Sequence, residues 1–128
     1  INAETYPQKA NDLTLVGVII ESVAALDNLD SILKVEDLDI VYFGAYDLSI
    51  SLGSPGHVFG DEIIEKISSG VRKTIDAGKC PGGFVPQSIE KTKFIMDLGI
   101  KFVTYNVDSA ILYNAIDNFL KLLPERTK

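Results

Sequence analysis

Two acidic residues follow apolar runs in the same manner. "LTLVGVII" runs directly into Glu21, and "DIVYF" is followed four residues later by Asp47. A carboxylate at the end of a strand is a hard oxygen donor held on a stiff element. Neighbouring parallel strands lie ~4.8 Å apart, so two such acids at equivalent heights can share one divalent cation. Oxygen ligands favour magnesium or manganese, with water and substrate filling the remaining positions. The same spacing also allows Glu21 to face the amino end of the following helix and Asp47 to cap a turn, and spacing alone leaves both readings open. The other reactive residues offer less. His57, the single histidine, falls in the loop "GSPGHVFGDE" ahead of a helix, where a capping or solvated role fits. Cys80 has no nearby partner and reads as a small buried residue. The glycines of "PGGFV" read as steric relief at least as readily as close approach to a ligand. No G-x-G-x-x-G stretch supports a dinucleotide site.

The elements that would carry the two acids repeat one unit. Leu13 to Ile20 is a continuous apolar run rich in branched residues, the pattern of a strand buried on both faces. Ser22 is placed to cap a helix with Leu26, Leu29 and Leu33 at helical spacing. Asp39 to Phe43 is a second strand, followed by a polar loop containing Gly53, Pro55 and Gly56. A helix from about Asp61 carries Ile64, Ile67, Val71 and Ile75 on one stripe, and Gly78 ends it. "PGGFV" is a third strand; Ser88 caps a helix with Ile95 and Leu98 that Gly99 stops. "KFVTYNV" is a fourth strand, with Phe102 and Tyr105 expected in the core, and Asp108 is expected to cap a last helix, Ser109 to Leu123, closed by Pro124. Four strand-helix units in series predict an α/β fold with a parallel sheet, and ligands in such folds sit at the carboxyl ends of the strands.

Composition narrows the function classes. The chain has 128 residues, 46% of them hydrophobic, which suits one domain with a core of its own. We expect a single domain over residues 1–128, with 1–12 as a linker or the end of a preceding helix. A net charge of -6 and a pI near 4.6 argue against nucleic acid and anionic membrane as partners, since both need clustered Lys and Arg. One cysteine excludes an internal disulfide and fits the cytoplasm. No apolar run approaches the ~18 residues of a membrane span. The first residue is Ile1 rather than Met, from which a preceding segment is expected.

The wording of the two acid-bearing stretches adds to this. "VIIESVAALDNLDSIL" and "DIVYFGAYDLSISLG" resemble the second half of the HpcH/HpaI aldolase family, metal-dependent class II pyruvate aldolases related to citrate lyase β-type lyases. The family pattern is a strand ending I-E-T, then a strand ending G-P-x-D-L-S with a glycine four residues on. Here these are Ile20, Glu21 and Ser22, then Gly44, Ala45, Tyr46, Asp47, Leu48 and Ser49, with Gly53. The similarity continues through "AGKCPGGFV" and "LGIKFVTYNVDSAIL". The resemblance implies a parallel (βα)4 half of a TIM (β/α)8 barrel, for which ~250 residues is typical. It implies Glu21 and Asp47 as metal ligands, with Mg2+ or Mn2+ bound and Co2+ as a further option. Gly44, Ala45, Tyr46 and Asp47 would then meet the 2-oxo acid. The metal, chelated by pyruvate, would stabilise the enolate formed when a 4-hydroxy-2-oxo acid is cleaved to pyruvate and an aldehyde. The family's substrate-orienting Arg and its proton-transferring His have no counterpart here and are expected in the missing N-terminal half. Ala45 stands in place of the usual proline, and "FGAYDL" is similar to the "FGAEDL" of citrate lyase β-type proteins, so a coenzyme A thioester lyase is the alternative. A non-catalytic metal- or oxo-acid-binding assembly module is the other. Either the chain forms a homo-oligomer or it associates with its missing half, because four strands of an eight-stranded barrel leave open edges and an uncovered inner face.

Overall fold

A computed structural model describes residues 6–124. Four strands form one parallel sheet in the order β1-β2-β3-β4, so each successive βα unit adds a strand beside the last. The strands are β1 (Gly17–Ile20), β2 (Ile40–Phe43), β3 (Cys80–Val85) and β4 (Phe102–Tyr105). The register runs Ile20 to Phe43 to Gly83 to Val103 across the sheet. Helices fill the connections: α1 (Tyr6–Leu13), α2 (Val23–Asp27), α3 (Leu29–Ile32), α4 (Ala45–Ser51), α5 (Asp61–Asp76), α6 (Ile89–Asp97) and α7 (Asp108–Lys121). Parallel strands need such crossovers, and the helices cover one face of the sheet.

Strand alternation divides the side chains cleanly. Ile20, Val41, Phe43 and Val85 point to the helices and are buried with Leu29, Leu48, Ile63, Ile67 and Val71. Ile19, Tyr42, Phe84 and Phe102 lie on the opposite face, where Ile19 is 59% exposed, Phe84 43% and Phe102 40%.

Several expectations are corrected. The first strand starts at Gly17, not Leu13; Leu13 ends α1, and Leu15 and Val16 are exposed in the connection. The helix after Ser22 is two short pieces, α2 and α3, breaking at Asn28. The polar loop after β2 opens with a helix, α4. On α5 the buried stripe is Ile63, Ile67, Gly70, Val71 and Thr74, while Ile75 is exposed and Ile64 half-buried. Counting only apolar residues overlooks Gly70 and Thr74, whose hydroxyl is satisfied by donating to the Gly70 carbonyl at 2.8 Å. Cys80 is half-buried. Asp108 is the first residue of α7 rather than its cap, and Val107 occupies the cap position. Phe102 and Tyr105 are both exposed because β4 is an edge strand, with no strand beyond it among the described residues. For the same reason α7, which follows β4, buries none of its residues.

Candidate functional site

Glu21 is the first residue past β1 and Gly44 the first past β2, so the strand register sets them side by side. The Gly44 N–H donates to the Ile20 carbonyl at 3.0 Å, carrying the ladder one step beyond the strands. A Cβ at Gly44 would lie 3.2 Å from Glu21 Cβ, 3.3 Å from Ile19 Cγ2 and 3.6 Å from Glu21 Oε2. Glycine is therefore what lets the Glu21 side chain lie against the top of β2.

Asp47 reaches the same place by another route. It sits in the first turn of α4, four residues past β2, rather than at the strand end itself. The first bond of α4 runs from the Leu48 N–H to the Gly44 carbonyl at 3.0 Å, so the N–H groups of Ala45, Tyr46 and Asp47 precede any intrahelical acceptor. Glu21, Gly44, Ala45, Tyr46 and Asp47 all line one cavity of about 420 Å³ at the carboxyl end of the sheet. Both carboxylates are exposed, and among the described residues neither has a salt-bridge or hydrogen-bond partner. No cluster of three or more His, Cys, Asp and Glu able to hold a metal occurs among the described residues. The donor set is thus two carboxylates of hard oxygens, neutralised by no lysine or arginine among the described residues.

Two serines fix the acid-bearing segments and were not singled out for this role. The Ser51 hydroxyl accepts from the Val23 N–H at 3.0 Å, joining the end of α4 to the start of α2, two residues beyond Glu21. The Ser49 hydroxyl, fully buried, donates to the Tyr46 carbonyl and accepts from the Gly56 N–H at 2.9 Å. Ser49 stands inside the quoted "DLS" pattern, but its reach to Gly56 has no local signature. Ser22 caps α2 as expected, accepting from the Ala25 N–H at 3.2 Å. His57 is exposed in the loop before α5 and does not line the cavity.

Ser49→Ala leaves the Tyr46 carbonyl and Gly56 N–H without their buried partner. We expect it to lower stability by about 1–3 kcal/mol. The urea unfolding midpoint measures this, and an unchanged midpoint would mean the hydroxyl does not hold α4 to the loop.

Comparison with known proteins places the chain in context. The family model described as HpcH/HpaI aldolase/citrate lyase matches residues 2–115. The chain is 36% identical over 119 residues to the 2-keto-3-deoxy-L-rhamnonate aldolase of Shigella dysenteriae, covering 93% of this chain and 44% of that protein. The Escherichia coli protein of the same name gives the same figures. Among solved structures, an HpcH/HpaI aldolase from Desulfitobacterium hafniense matches with a TM-score of 0.85 and 27% identity, covering all of this chain and 51% of the other. The citrate synthase SbnG matches with a TM-score of 0.81 and 25% identity, over 93% of this chain and 48% of that one. The chain spans about half the length of the relatives it matches.

Proposed function

We propose, because this chain belongs to the HpcH/HpaI aldolase/citrate lyase family, that it is the C-terminal (βα)4 half of an aldolase-type (β/α)8 barrel acting on 4-hydroxy-2-oxo acids. The observation that carries this reading is the pair of unneutralised carboxylates, Glu21 and Asp47, sharing one cavity at the carboxyl end of a parallel sheet. Their oxygens would hold a divalent cation, Mg2+ or Mn2+, with Co2+ as a further option. Bound there, the cation would supply Lewis-acid stabilisation of charge on the 2-oxo acid. The backbone from Gly44 to Asp47 would meet the substrate carboxylate, since the first-turn N–H groups of α4 have no acceptor within the helix. In the cleavage direction the C3–C4 bond breaks, the C4 hydroxyl loses its proton, and the electron pair passes to C3 to give the enolate of pyruvate, which is then protonated. Among the described residues no Lys, Arg or His lines the cavity. The groups that orient the oxo acid and move its proton would therefore come from the other half of the barrel. The same half would cover Ile19, Phe84 and Phe102, or a second copy of the chain would.

Excess EDTA tests the reading. In the full-length protein we expect it to stop pyruvate release from a 4-hydroxy-2-oxo acid, with activity restored by Mg2+ or Mn2+. Release that persists in EDTA would point to Schiff-base chemistry instead. Cleavage of a coenzyme A thioester, with hydroxy-oxo acids ignored, would favour the second reading, a citrate lyase-like enzyme, which the similarity to a citrate synthase structure supports.

A further inference from the structure

We infer that Tyr42 is the residue of this half that holds the C4 oxygen of the substrate, its hydroxyl donating a hydrogen bond as negative charge develops there. The inference rests on the aldolase reading and deepens it. Strand register supplies the geometry. Ile20, Phe43, Gly83 and Val103 share one level of the sheet, so Glu21, Gly44, Phe84 and Thr104 share the next, toward the carboxyl end. Tyr42 starts lower on the same face, in register with Ile19 and Gly82. Its ring then climbs across β3: a Cβ on Gly82 would come within 2.9 Å of Tyr42 Cδ2, and the hydroxyl is hydrogen-bonded to Thr104 Oγ1. The missing side chain at Gly82 is the bed on which the ring lies. A residue rooted below the site thus brings its hydroxyl up to the level of Glu21, and Tyr42 lines the same cavity as both acids. Tyr46, the other tyrosine of the cavity, is 60% exposed and has no such hold among the described residues.

The Tyr42 hydroxyl is also free to donate. Two hydroxyls carry a hydrogen each, and the bond between them uses only one. With Thr104 donating, the phenolic hydrogen is left for the cavity. Glu21 lies against Gly44 at the top of β2, whereas the Tyr42 hydroxyl sits beside β4, so the two face each other from opposite sides. An oxo acid held by its first two carbons on the acid side extends C4 away from it, toward that hydroxyl. In cleavage the C4 hydroxyl gives up its proton, and its oxygen carries charge until the C3–C4 bond breaks and the aldehyde carbonyl forms. Tyr42 donates to that oxygen throughout and keeps its own proton. A fixed donor aimed at a developing oxyanion typically accounts for about 100-fold or more in rate.

Two rates of the full-length protein with Mn2+ test this. One is kcat/KM for cleavage of a 4-hydroxy-2-oxo acid; the other is deuterium exchange into the pyruvate methyl group, which forms the enolate with no C4 oxygen present. Tyr42→Phe keeps the ring on Gly82 and removes the hydroxyl, and it should lower the ratio of cleavage to exchange about 100-fold. Thr104→Val, by releasing the phenol, should lower the same ratio about tenfold, and Thr104→Ser should restore it. A ratio unchanged in Tyr42→Phe, whether both rates hold or both fall together, overturns the inference and leaves the aldolase reading standing. Absence of exchange in the parent overturns that reading, and the inference falls with it.

Discussion

Glu21→Gln and Asp47→Ala should each reduce pyruvate release by the full-length protein by more than 100-fold. Residues that merely orient a metal ligand typically cost 10–100-fold when removed. Removing one of the two proposed ligands should cost more, because the remaining carboxylate cannot fix the position of the ion or its substrate. The prediction separates catalysis from folding. Both side chains are exposed and make no hydrogen bond or ion pair among the described residues, so neither substitution removes a stabilising contact. Surface changes of this kind usually shift stability by no more than about 0.5 kcal/mol. Unfolding midpoints measured beside turnover therefore check the argument: lost activity at unchanged stability is the expected pair of results. Activity within a few-fold of the parent in either variant would remove that acid from the site.

The second large effect concerns association of residues 1–128. Ile19, Phe84 and Phe102 lie on the uncovered face of the sheet, and β1 and β4 present open edges. On α7, Leu112, Ile116, Phe119 and Leu120 are each more than half exposed. Apolar side chains left in water on the sheet face and on α7 call for a partner, since the largest apolar patch of a monomer is ordinarily only a few hundred Å². Covering several hundred Å² contributes roughly 10 kcal/mol at ~25 cal/mol per Å², before the entropy of association is subtracted. We expect this segment to self-associate, most simply as a two-fold dimer, or to bind the complementary half of the barrel when both are present. Light scattering at low micromolar concentration reads the mass directly, and a stable monomer alone and in the mixture would contradict the expectation. Turnover should be absent from this segment by itself, because among the described residues no Lys, Arg or His lines its cavity to complete the hold on the oxo acid and move its proton.

The parallel arrangement was legible because each strand is a short apolar run and each connection carries helical spacing. Glu21 was legible for a related reason: it breaks such a run at its end, and the register then sets it beside Gly44. The place of Asp47 shortly after β2 was legible as well, but its support was misjudged. "AYDLSIS" has the serines and aspartate of a turn, and only Leu48 among its apolar residues is buried, so local propensity hid the short helix α4. Ser49 and Ser51 were missed because their bonds reach Gly56 and Val23, and no pattern of neighbouring residues records a contact across the fold. Phe102 and Tyr105 failed differently. Their alternation does mark a strand, but whether a strand is covered depends on what lies beyond it in the sheet, and β4 is the last.

The central claim is that Glu21 and Asp47 together hold one divalent ion, and calorimetric titration with Mn2+ tests it without requiring turnover. We expect a single site in the parent chain, weak because two protein ligands leave most coordination positions to water. That site should be lost in Asp47→Ala and lost again in Glu21→Gln. Binding in Asp47→Ala indistinguishable from the parent would contradict the account.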